Sequence, residues 1–277
     1  MRILTGSNIS ELYKNALEAL VYDGLYTKPR GYVCHEISPC TLVLDYPDRN
    51  ILDDNVRCIN KAFAAAELCW ILAGRNDLEF IQKFNSNIAN YSDNGKIFFG
   101  AYGPKFVQQL PYVLKTMKKD PYTRQAIMTI WRESPPKTKD VPCTIALHFI
   151  QRPIGTLNLV VYMRSNDVWL GLPYDIHNFT CIQMIIASML GLSLGKYTHI
   201  DGSLHLYEQH DELAIKCKNE LKSGHFKSTA ETLIKTPYEL YKQLGWMYDK
   251  KAEATDPMIR QKIEVMKQYL RKKCLPE

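Results

Sequence analysis

The sequence predicts an α+β fold with a mainly antiparallel or mixed β-sheet, because its helical and strand-like segments do not alternate strictly. Residues 145–151 and 157–163 are rich in β-forming residues, and the Arg-Pro-Ile-Gly sequence at 152–155 supplies a turn between them. These segments therefore predict an antiparallel hairpin. Residues 57–73 form a long apolar run that stops at Gly74, which is typical of a helix with a glycine after its last turn.

The other elements follow from the same kinds of pattern. Near the start of the chain, apolar residues at Ile9, Leu12, Ala16 and Leu20 indicate a helix. The chain contains neither an internal repeat nor a low-complexity linker. The remaining predicted elements are a helix at 7–23, a strand at 40–46, a glycine-rich turn region at 91–104, a strand at 125–131, an apolar helix at 176–192, extended structure at 196–208, and a mostly helical, lysine-rich part from about 211.

Composition and charge limit the classes of protein to which the chain can belong. Of 277 residues, 46% are hydrophobic and 23% are charged, the usual balance of a soluble globular protein. No run of 18 apolar residues predicts a membrane span, and residues 1–14 have no apolar signal core, so we expect a mature cytoplasmic protein. The formal net charge is +6, with lysines clustered at 115–119 and basic residues near 271–273. Solvated helix faces explain these clusters better than a nucleic-acid surface, and phosphate binding by arginines is a third interpretation.

Cysteine usage argues against a disulfide scaffold. The eight cysteines include no CxxC pair, and Cys69 and Cys181 lie in strongly apolar stretches, as free buried thiols do. This pattern suits a reducing cytosol. No two cysteines have the spacing of zinc ligands and no histidines are grouped with them, so we expect no metal. The cysteines are Cys34, Cys40, Cys58, Cys69, Cys143, Cys181, Cys217 and Cys274.

Three short segments carry side chains suited to chemistry. Cys143 follows a proline and a lysine-rich loop and comes directly before a strand, a position in which nearby cations favour the thiolate. Arg164 and Ser165 follow a hydrophobic strand and together can bind a phosphate through charge-assisted hydrogen bonds. His205 and Tyr207 alternate along an extended segment and therefore face the same side. We expect the polar groups that follow the hydrophobic strand to line a cleft.

Several of these positions also have a structural interpretation. A cysteine before a strand is often structural. Asp175 follows Gly-Leu-Pro at the head of a helix and can act as a helix cap. Glu67 lies inside the apolar run at 57–73, where a charged group is costly unless it is paired or functional, or lies on the polar stripe of an amphipathic helix.

The order and spacing of these blocks resemble those of the thymidylate synthase superfamily. The matching blocks are Pro-Cys before a strand, Arg-Ser-x-Asp followed by Leu-Gly-Leu-Pro, His-Leu-Tyr downstream, Glu67 in Glu-Leu-Cys-Trp and Tyr102 in Gly-Ala-Tyr-Gly. The resemblance covers roughly residues 28–210. It implies an α+β fold of thymidylate synthase type, with a mixed sheet packed by helices, and a sheet-mediated homodimer. We therefore predict one catalytic domain over residues 1–277, with residues 211–277 as a mostly helical C-terminal part.

The resemblance also implies roles for individual residues. Cys143 is implied as the nucleophile that attacks C6 of a pyrimidine nucleoside monophosphate, since C5 is a poor nucleophile until C6 is saturated. The one-carbon donor is implied to be 5,10-methylenetetrahydrofolate. The other implied roles are phosphate binding by Arg164, Ser165, Arg30 and, across to the partner subunit, Arg124; sugar binding by His205 and Tyr207; folate contact by Asp167 and Gly171; and proton transfer and water ordering by Glu67 and Tyr102.

Asp175 stands where synthases of this family present an asparagine after Leu-Pro-x. An asparagine amide suits O4 and N3–H of uracil, whereas cytosine offers a donating amino group and an accepting N3. A carboxylate can accept from the amino group, and a proton shared between Asp175 and N3 would make the ring a better electron sink. Asp175 therefore favours a cytosine nucleotide, dCMP or CMP.

Further departures resemble the deoxycytidylate hydroxymethylases of large phages, in which water rather than a folate hydride quenches an exocyclic methylene intermediate. Thr144 stands where synthases usually have histidine, and Ser203 where they usually have aspartate. The tryptophans that cover the folate in synthases are matched by Asn87 and Asn90, or by the residues one position later. A less bulky or more polar lid would admit or position water.

Two departures leave parts of the site open. Gln125 stands where the family usually has a second arginine, so phosphate binding is expected to be rearranged. The tail at 272–277 does not match the synthase tail that closes over the site.

The leading hypothesis is thus a pyrimidine nucleotide hydroxymethylase acting on dCMP or CMP. The alternatives are a thymidylate synthase acting on dUMP, a dUMP hydroxymethylase, and a catalytically silent relative that binds nucleotides or RNA. Nucleic-acid binding would weaken steeply with added salt, which distinguishes the last alternative.

Overall fold

The computed structural model describes residues 2–273. Its strands are β1 (Arg2–Gly6), β2 (Leu25–Thr27), β3 (Cys34–Ile37), β4 (Cys40–Leu44), β5 (Ile51–Leu52), β6 (Ile127–Thr129), β7 (Thr144–Gln151), β8 (Thr156–Met163), β9 (Asn166–Asp167), β10 (Ser193–Asp201), β11 (Leu204–Tyr207) and β12 (Phe226–Lys227). Its α-helices are α1 (Ile9–Asp23), α2 (Lys61–Leu72), α3 (Leu78–Ile81), α4 (Tyr102–Lys119), α5 (Leu172–Leu190), α6 (Asp211–Glu220), α7 (Pro237–Gln243) and α8 (Pro257–Lys272).

The largest sheet has six strands in the order β1-β4-β10-β8-β7-β6. Strands β7 and β8 pair antiparallel, which confirms the predicted hairpin. Strand β10 runs parallel to β8 and antiparallel to β4, so this sheet is mixed. A four-stranded sheet in the order β2-β3-β11-β9 and a small β12-β5 pair lie apart from it. The prediction of an α+β fold with a mixed sheet packed by helices is therefore confirmed.

Helix α5 connects the large sheet to the helical part of the core. It packs against β8 and β10 and also contacts α2 and α4, while α8 packs against α2. All of its residues from Ile176 to Ala187 are buried. A polar side chain on this helix must therefore find its partners inside the protein.

Two predicted helix boundaries were wrong for local reasons. Helix α2 begins at Lys61 rather than at 57, because the Asn60 side chain accepts a hydrogen bond from the Phe63 amide and caps the first turn. Helix α5 begins at Leu172 rather than at 176, because a proline fits the first turn of a helix. Gly171 occupies the cap position, so the interpretation of Asp175 as a helix cap was wrong.

The extended segment predicted at 196–208 divides into β10 and β11, which belong to different sheets. The division falls at Gly202, whose amide donates to the Met163 carbonyl over 2.8 Å. A Cβ atom at Gly202 would lie 2.9 Å from the Arg164 carbonyl oxygen, closer than real Cβ contacts. Glycine at this position therefore allows the chain to pass directly over Arg164.

The part after residue 211 contains α6, α7 and α8 with irregular segments between them, as the sequence predicts. No helix within residues 2–273 is long and apolar enough to span a membrane. The unmatched tail predicted at 272–277 falls mainly on residues 274–277, which lie outside the described residues. The single catalytic domain and the cytoplasmic location stay predictions.

Candidate active site

A cavity of about 460 Å³ opens between the loop after β8, strand β11 and the turn at residues 29–31. Arg164 and Ser165 line it from the end of β8, because the hydrophobic strand stops at Met163. His205 and Tyr207 line it from β11, with ring centroids 5.1 Å apart, as expected for alternate residues of one strand. This cavity thus brings together four residues that the sequence singles out, two for phosphate and two for sugar.

Arg30 is the fifth predicted residue that lines the cavity. Its backbone has φ +54°, a left-handed conformation that non-glycine residues adopt rarely and that costs on the order of 1 kcal/mol or more. Gly31 continues the turn with φ +87°. Positive φ at a binding-site arginine is consistent with a backbone held for function rather than for local stability.

The Cys143 thiol lies beside the Arg164 guanidinium, with Arg164 Nη2 donating to Sγ over 3.5 Å. Two further bonds hold these segments together: the Arg164 amide donates to the Cys143 carbonyl over 2.9 Å, and Arg164 Nε donates to the Pro142 carbonyl over 3.0 Å. Burial raises the pKa of the Cys143 thiol and the Arg164 charge acts in the opposite direction. One arginine therefore both lines the anion cavity and stabilises the thiolate.

Glu67 is not on a solvated stripe of α2. The helix is apolar nearly all around, and Asn178 Nδ2 from α5 donates to Glu67 Oε2 over 2.7 Å. Burial raises the pKa of Glu67 to about 7, with the Asn178 hydrogen bond opposing the shift. A carboxyl group with a pKa near 7 can both give and take a proton at neutral pH. Sequence reasoning missed Asn178, although an amide within the apolar run at 176–192 was a usable signal.

Tyr102 stands at the start of α4 and accepts a hydrogen bond from Thr144 Oγ1 over 3.0 Å. Burial raises the pKa of Tyr102 well above its ordinary value, and the charges of Asp175 and Cys143 add to the shift. The phenol is therefore neutral at physiological pH and can serve as a hydrogen-bond donor. Thr144, which the sequence marks as a departure from the synthase pattern, is its partner.

Asp175 lies in the first turn of α5, and burial raises its pKa to about 8. His199 on β10 opposes this shift through its charge, while Glu67 and Asp201 reinforce it. The protonated form therefore predominates at pH 7 in the free site. The sequence predicts that a proton on this carboxyl group is shared with the substrate, and the structure supplies the burial that makes such a proton available.

His199 and Asp201 form a fully buried pair next to Asp175, which sequence reasoning missed. His199 Nε2 lies 3.1 Å from an Asp201 oxygen, and the Tyr197 hydroxyl lies 2.7 Å from His199 Nδ1. Burial has the largest single effect on the pKa of His199 and lowers it, but the interactions with Asp201 and the Asp175 charge together raise it, so the net direction is upward. The signal in the sequence was the alternation of polar residues along β10, and this alternation is as typical of a strand with one exposed face as of a buried polar pair.

Asp167 and Gly171 shape the turn that leads into α5. Asp167 Oδ1 accepts from the Trp169 and Leu170 amides over 2.8 and 2.9 Å, and the Gly171 amide donates to the Asp167 carbonyl over 2.9 Å. Leu170, between them, is 48% exposed. An exposed apolar side chain beside backbone polar groups fits an aromatic folate ring, so these residues fit the group that the sequence predicts. Their contact with folate stays a prediction.

Arg124 does not reach the cavity that holds Arg164 in its own chain. It lines a second cavity, of about 490 Å³, with Lys115, Lys119 and Gln125. Its separation from Arg164 is compatible with the prediction that Arg124 acts in a partner subunit. Gln125, which stands where the family usually has a second arginine, lines this second cavity and not the cavity that contains Arg30 and Arg164.

Asn87 and Asn90 belong to a 3₁₀ turn, Ser86–Tyr91, with no buried residue. Residues 2–273 contain no group of three or more histidine, cysteine or acidic side chains arranged to hold a metal ion.

A thiol beside an arginine, a cavity lined by two arginines and two partly buried carboxyl groups of raised pKa are features that enzymes with nucleophilic catalysis share. The sequence profile of the thymidylate synthase family matches residues 55–239. The chain therefore belongs to the thymidylate synthase family, as its motifs predict.

Individual relatives refine this placement. The chain is 34% identical over 227 residues to a deoxyuridylate hydroxymethyltransferase of Bacillus phage SP01, covering 75% of this chain and 59% of the relative. It is 29% identical over 219 residues to a deoxyuridylate hydroxymethyltransferase of Pseudomonas phage M6, covering 76% and 62%. It is 28% identical over 199 residues to a thymidylate synthase of Buchnera aphidicola subsp. Schizaphis graminum (strain Sg), covering 65% and 74%. The chain thus spans about three fifths of the length of the two phage relatives.

Proposed function

We propose that this protein transfers a one-carbon unit from 5,10-methylenetetrahydrofolate to C5 of a cytosine nucleotide, dCMP or CMP, and releases the 5-hydroxymethyl product. The observation that carries the choice of base is the partly buried Asp175 carboxyl group, whose pKa is raised to about 8. Family membership and the Cys143–Arg164 contact support the covalent chemistry.

The preference for cytosine follows from the two protonation states of Asp175. As an acid, Asp175 can donate to cytosine N3 and accept from its amino group, or donate to uracil O4 and accept from its N3–H. As a carboxylate, it accepts one hydrogen bond from either base but repels the lone pair of cytosine N3 or uracil O4, so both bases bind best to the protonated form. Cytosine N3 is the more basic of these two acceptors and can take over the Asp175 proton, whereas uracil N3 already carries a proton, so a carboxyl group that can transfer its proton favours cytosine.

In the proposed reaction Cys143 Sγ adds to C6 of the base, and the electron pair of the C5–C6 bond moves toward N3, where Asp175 supplies a proton. The folate supplies a one-carbon unit at the oxidation level of formaldehyde. After C5 has bonded to that carbon, Glu67 removes the C5 proton, which its pKa near 7 permits. The bond between that carbon and the folate nitrogen then breaks, so tetrahydrofolate leaves and an exocyclic methylene group remains at C5. Water then adds to the exocyclic methylene group as Cys143 leaves C6, so the product carries CH₂OH and no reductant is consumed.

The cavity suits a nucleoside monophosphate. Arg30, Arg164 and Ser165 offer charge-assisted donors to a phosphate, and His205 and Tyr207 lie within the same cavity for the sugar hydroxyl. A phosphate beside Arg164 also competes for the guanidinium that stabilises the Cys143 thiolate. Substrate binding and thiol activation are therefore coupled through Arg164.

We further propose a homodimer in which Arg124 completes the partner's phosphate site. The second cavity, which collects Arg124 with two lysines away from Arg164, supports this arrangement. Mixed dimers of Cys143→Ser and Arg124→Met chains test it. One site of each mixed dimer regains both wild-type residues, so we expect mixing to restore activity that neither variant has alone. Activity that stays at the level of the unmixed variants contradicts the shared site.

Hydroxymethylation of dUMP is the second candidate, because both phage relatives are deoxyuridylate hydroxymethyltransferases by name. It keeps the same thiol chemistry and the same addition of water, and differs in the base that Asp175 faces. The 3₁₀ turn Ser86–Tyr91, which has no tryptophan, supports addition of water over hydride transfer in either case.

Tritium release from C5-labelled dCMP, CMP and dUMP, each with methylenetetrahydrofolate and with product mass measured, tests the proposal. We expect release from a cytosine nucleotide, a hydroxymethyl product, and no release by Cys143→Ser. Release from dUMP alone with a hydroxymethyl product supports the second candidate, and a methyl product from dUMP contradicts both.

A further inference from the structure

Helix α8 places a lysine in the interior of the protein. Lys262 is 3% exposed, and within residues 2–273 no carboxylate lies within ion-pair distance of it. Its Nζ atom lies 2.8 Å from His177 Nε2 and 3.0 Å from Thr229 Oγ1. A buried ammonium group is costly, so an arrangement that retains one without a counter-ion calls for a functional explanation. Residue 262 also lies beyond residues 55–239, which the family profile matches.

A directed chain of hydrogen bonds leads from Lys262 to Glu67. Burial lowers the pKa of Lys262 from its ordinary value. In its ammonium form Nζ only donates, so His177 Nε2 then accepts and the imidazole proton resides on Nδ1. His177 Nδ1 lies 3.3 Å from Asn178 Oδ1, and Asn178 Nδ2 donates to Glu67 Oε2 over 2.7 Å. Burial and the Lys262 charge both depress the pKa of His177 well below its ordinary value, so the ring stays neutral and holds a single proton.

The direction of each bond depends on the one before it. With the proton on His177 Nδ1, the Asn178 oxygen faces the histidine and the Asn178 amino group faces Glu67. With the proton on Nε2, Nδ1 would be an acceptor, the amide would turn over, and its oxygen would face Glu67. That orientation requires a protonated Glu67, because a carboxylate cannot donate.

We propose that Lys262 is a positioning residue for Glu67: by setting the tautomer of His177 it orients the Asn178 amide as a donor to the Glu67 carboxylate. The catalytic meaning of this chain rests on the proposed function, in which Glu67 moves the C5 proton. A helix outside the part of the chain that the family profile matches would then regulate the proton-transfer group of the active site.

Other ionisable groups near the two ends of the chain do not replace these bonds. Asp175 on α5 and Tyr102 on α4 interact with Glu67 electrostatically, and burial keeps Tyr102 neutral. Near Lys262, Cys181 on α5 lies 3.9 Å from His177 Nε2, and a thiol there also donates to the same acceptor. Cys69 on α2 is the remaining ionisable neighbour, and burial raises the pKa of its thiol to about 12, so it is not a counter-ion.

The test measures the tautomer of His177 by nitrogen-15 NMR and the pKa of Glu67 by carbon-13 carboxyl NMR. The Glu67 signal is assigned by its absence in Glu67→Gln, and neither measurement requires turnover. Lys262→Met is compared with Lys272→Met, an exposed lysine of the same helix. We expect Lys262→Met to change the tautomer distribution and to raise the Glu67 pKa by about one pH unit, a tenfold change in proton affinity. The acidic limb of the pH–rate profile for tritium release should shift to higher pH by the same amount. In Lys272→Met the tautomer, the Glu67 pKa and this profile should equal those of the wild type.

A folded Lys262→Met protein with an unchanged tautomer and an unchanged Glu67 pKa overturns the proposal. If this variant does not fold, the wild type and Asn178→Ala decide. The proposal requires the Nδ1–H tautomer of His177 in the wild type and a raised Glu67 pKa in Asn178→Ala. The Nε2–H tautomer in the wild type, or a Glu67 pKa that is not raised in Asn178→Ala, overturns it. If the wild type turns over no pyrimidine nucleotide, the proposed function fails while these spectroscopic results still decide the positioning role.

Discussion

The reactivity of a cytosine nucleotide should fall as pH rises, because the proposed reaction requires Asp175 to supply a proton to N3. At a pKa of about 8, roughly nine tenths of the Asp175 carboxyl groups are protonated at pH 7 and roughly one tenth at pH 9. kcat/KM reports the ionisation of the free enzyme, so loss of the Asp175 proton should lower kcat/KM for dCMP about tenfold over this interval. The corresponding change in transition-state free energy is about 1.4 kcal/mol.

A reference reaction without the Asp175 ionisation separates it from the other titrating groups. The reference is kcat/KM for dUMP with Asp175→Asn, because Cys143 and Glu67 titrate in both proteins and their effects cancel in the quotient of the two kcat/KM values. The assay is tritium release from C5-labelled dCMP and dUMP in one set of buffers from pH 6 to pH 9.5.

Asp175→Asn supplies the matched control. An amide does not titrate in this range and cannot supply a proton to N3, but it offers the donor and acceptor that uracil needs. We expect the variant to accept dUMP and to lose activity on dCMP. A quotient that does not fall as pH rises, or activity on dCMP that survives in Asp175→Asn, would refute the reasoning from the carboxyl group.

Two further predictions concern the thiol and the buried pair. Arg164→Met should slow alkylation of Cys143 by iodoacetamide at pH 8, roughly tenfold for each pH unit by which the Cys143 pKa rises. Peptide mass spectrometry measures the alkylation rate. A rate equal to that of the control variant Arg152→Met would contradict a role for the Cys143–Arg164 contact. His199→Leu should lower the free energy of unfolding in urea by about 3 to 5 kcal/mol, because it leaves Asp201 buried without its partner, whereas the exposed His225→Leu should change it by less than about 0.5 kcal/mol. Because the pKa of His199 is raised in the folded protein, protonation of His199 stabilises the fold fully below about pH 6.5, and this stabilisation is lost as pH rises through the raised pKa. The substitution should therefore cost more free energy of unfolding at pH 6 than at pH 9.5, and an equal cost at both would falsify this account.

Local patterns predicted the elements more accurately than their ends. The hairpin at 145–163 followed from two apolar segments around a short turn, and the helix before Gly74 followed from an apolar run with a stop signal. The starts of α2 and α5 differed by four residues because Asn60 and Gly171 occupy the cap positions, and several polar residues near each start were equally eligible.

Linear order also predicted which residues share the first cavity. Arg164, Ser165, His205 and Tyr207 are located by two strand ends, and alternation along a strand decides which side chains face together. Their roles in substrate binding, and those of Cys143 and Arg30, stay predictions until a nucleotide is bound. Arg124, by contrast, lies in a separate cavity of its own chain.

The sequence by itself determined the α+β class and the family, and it singled out the Cys143 thiol and the Asp175 carboxyl group, because these depend on residue identity and on spacing along the chain. Tertiary structure alone decided that Asn178 meets Glu67 across 111 residues, that the His199–Asp201 pair lies near Asp175, and that Lys262 enters the core from α8. The physical reason is that a pKa depends on burial and on neighbouring charges, and both are fixed only when distant segments pack together. Thus the sequence predicts which groups can react, and packing determines the protons that they hold.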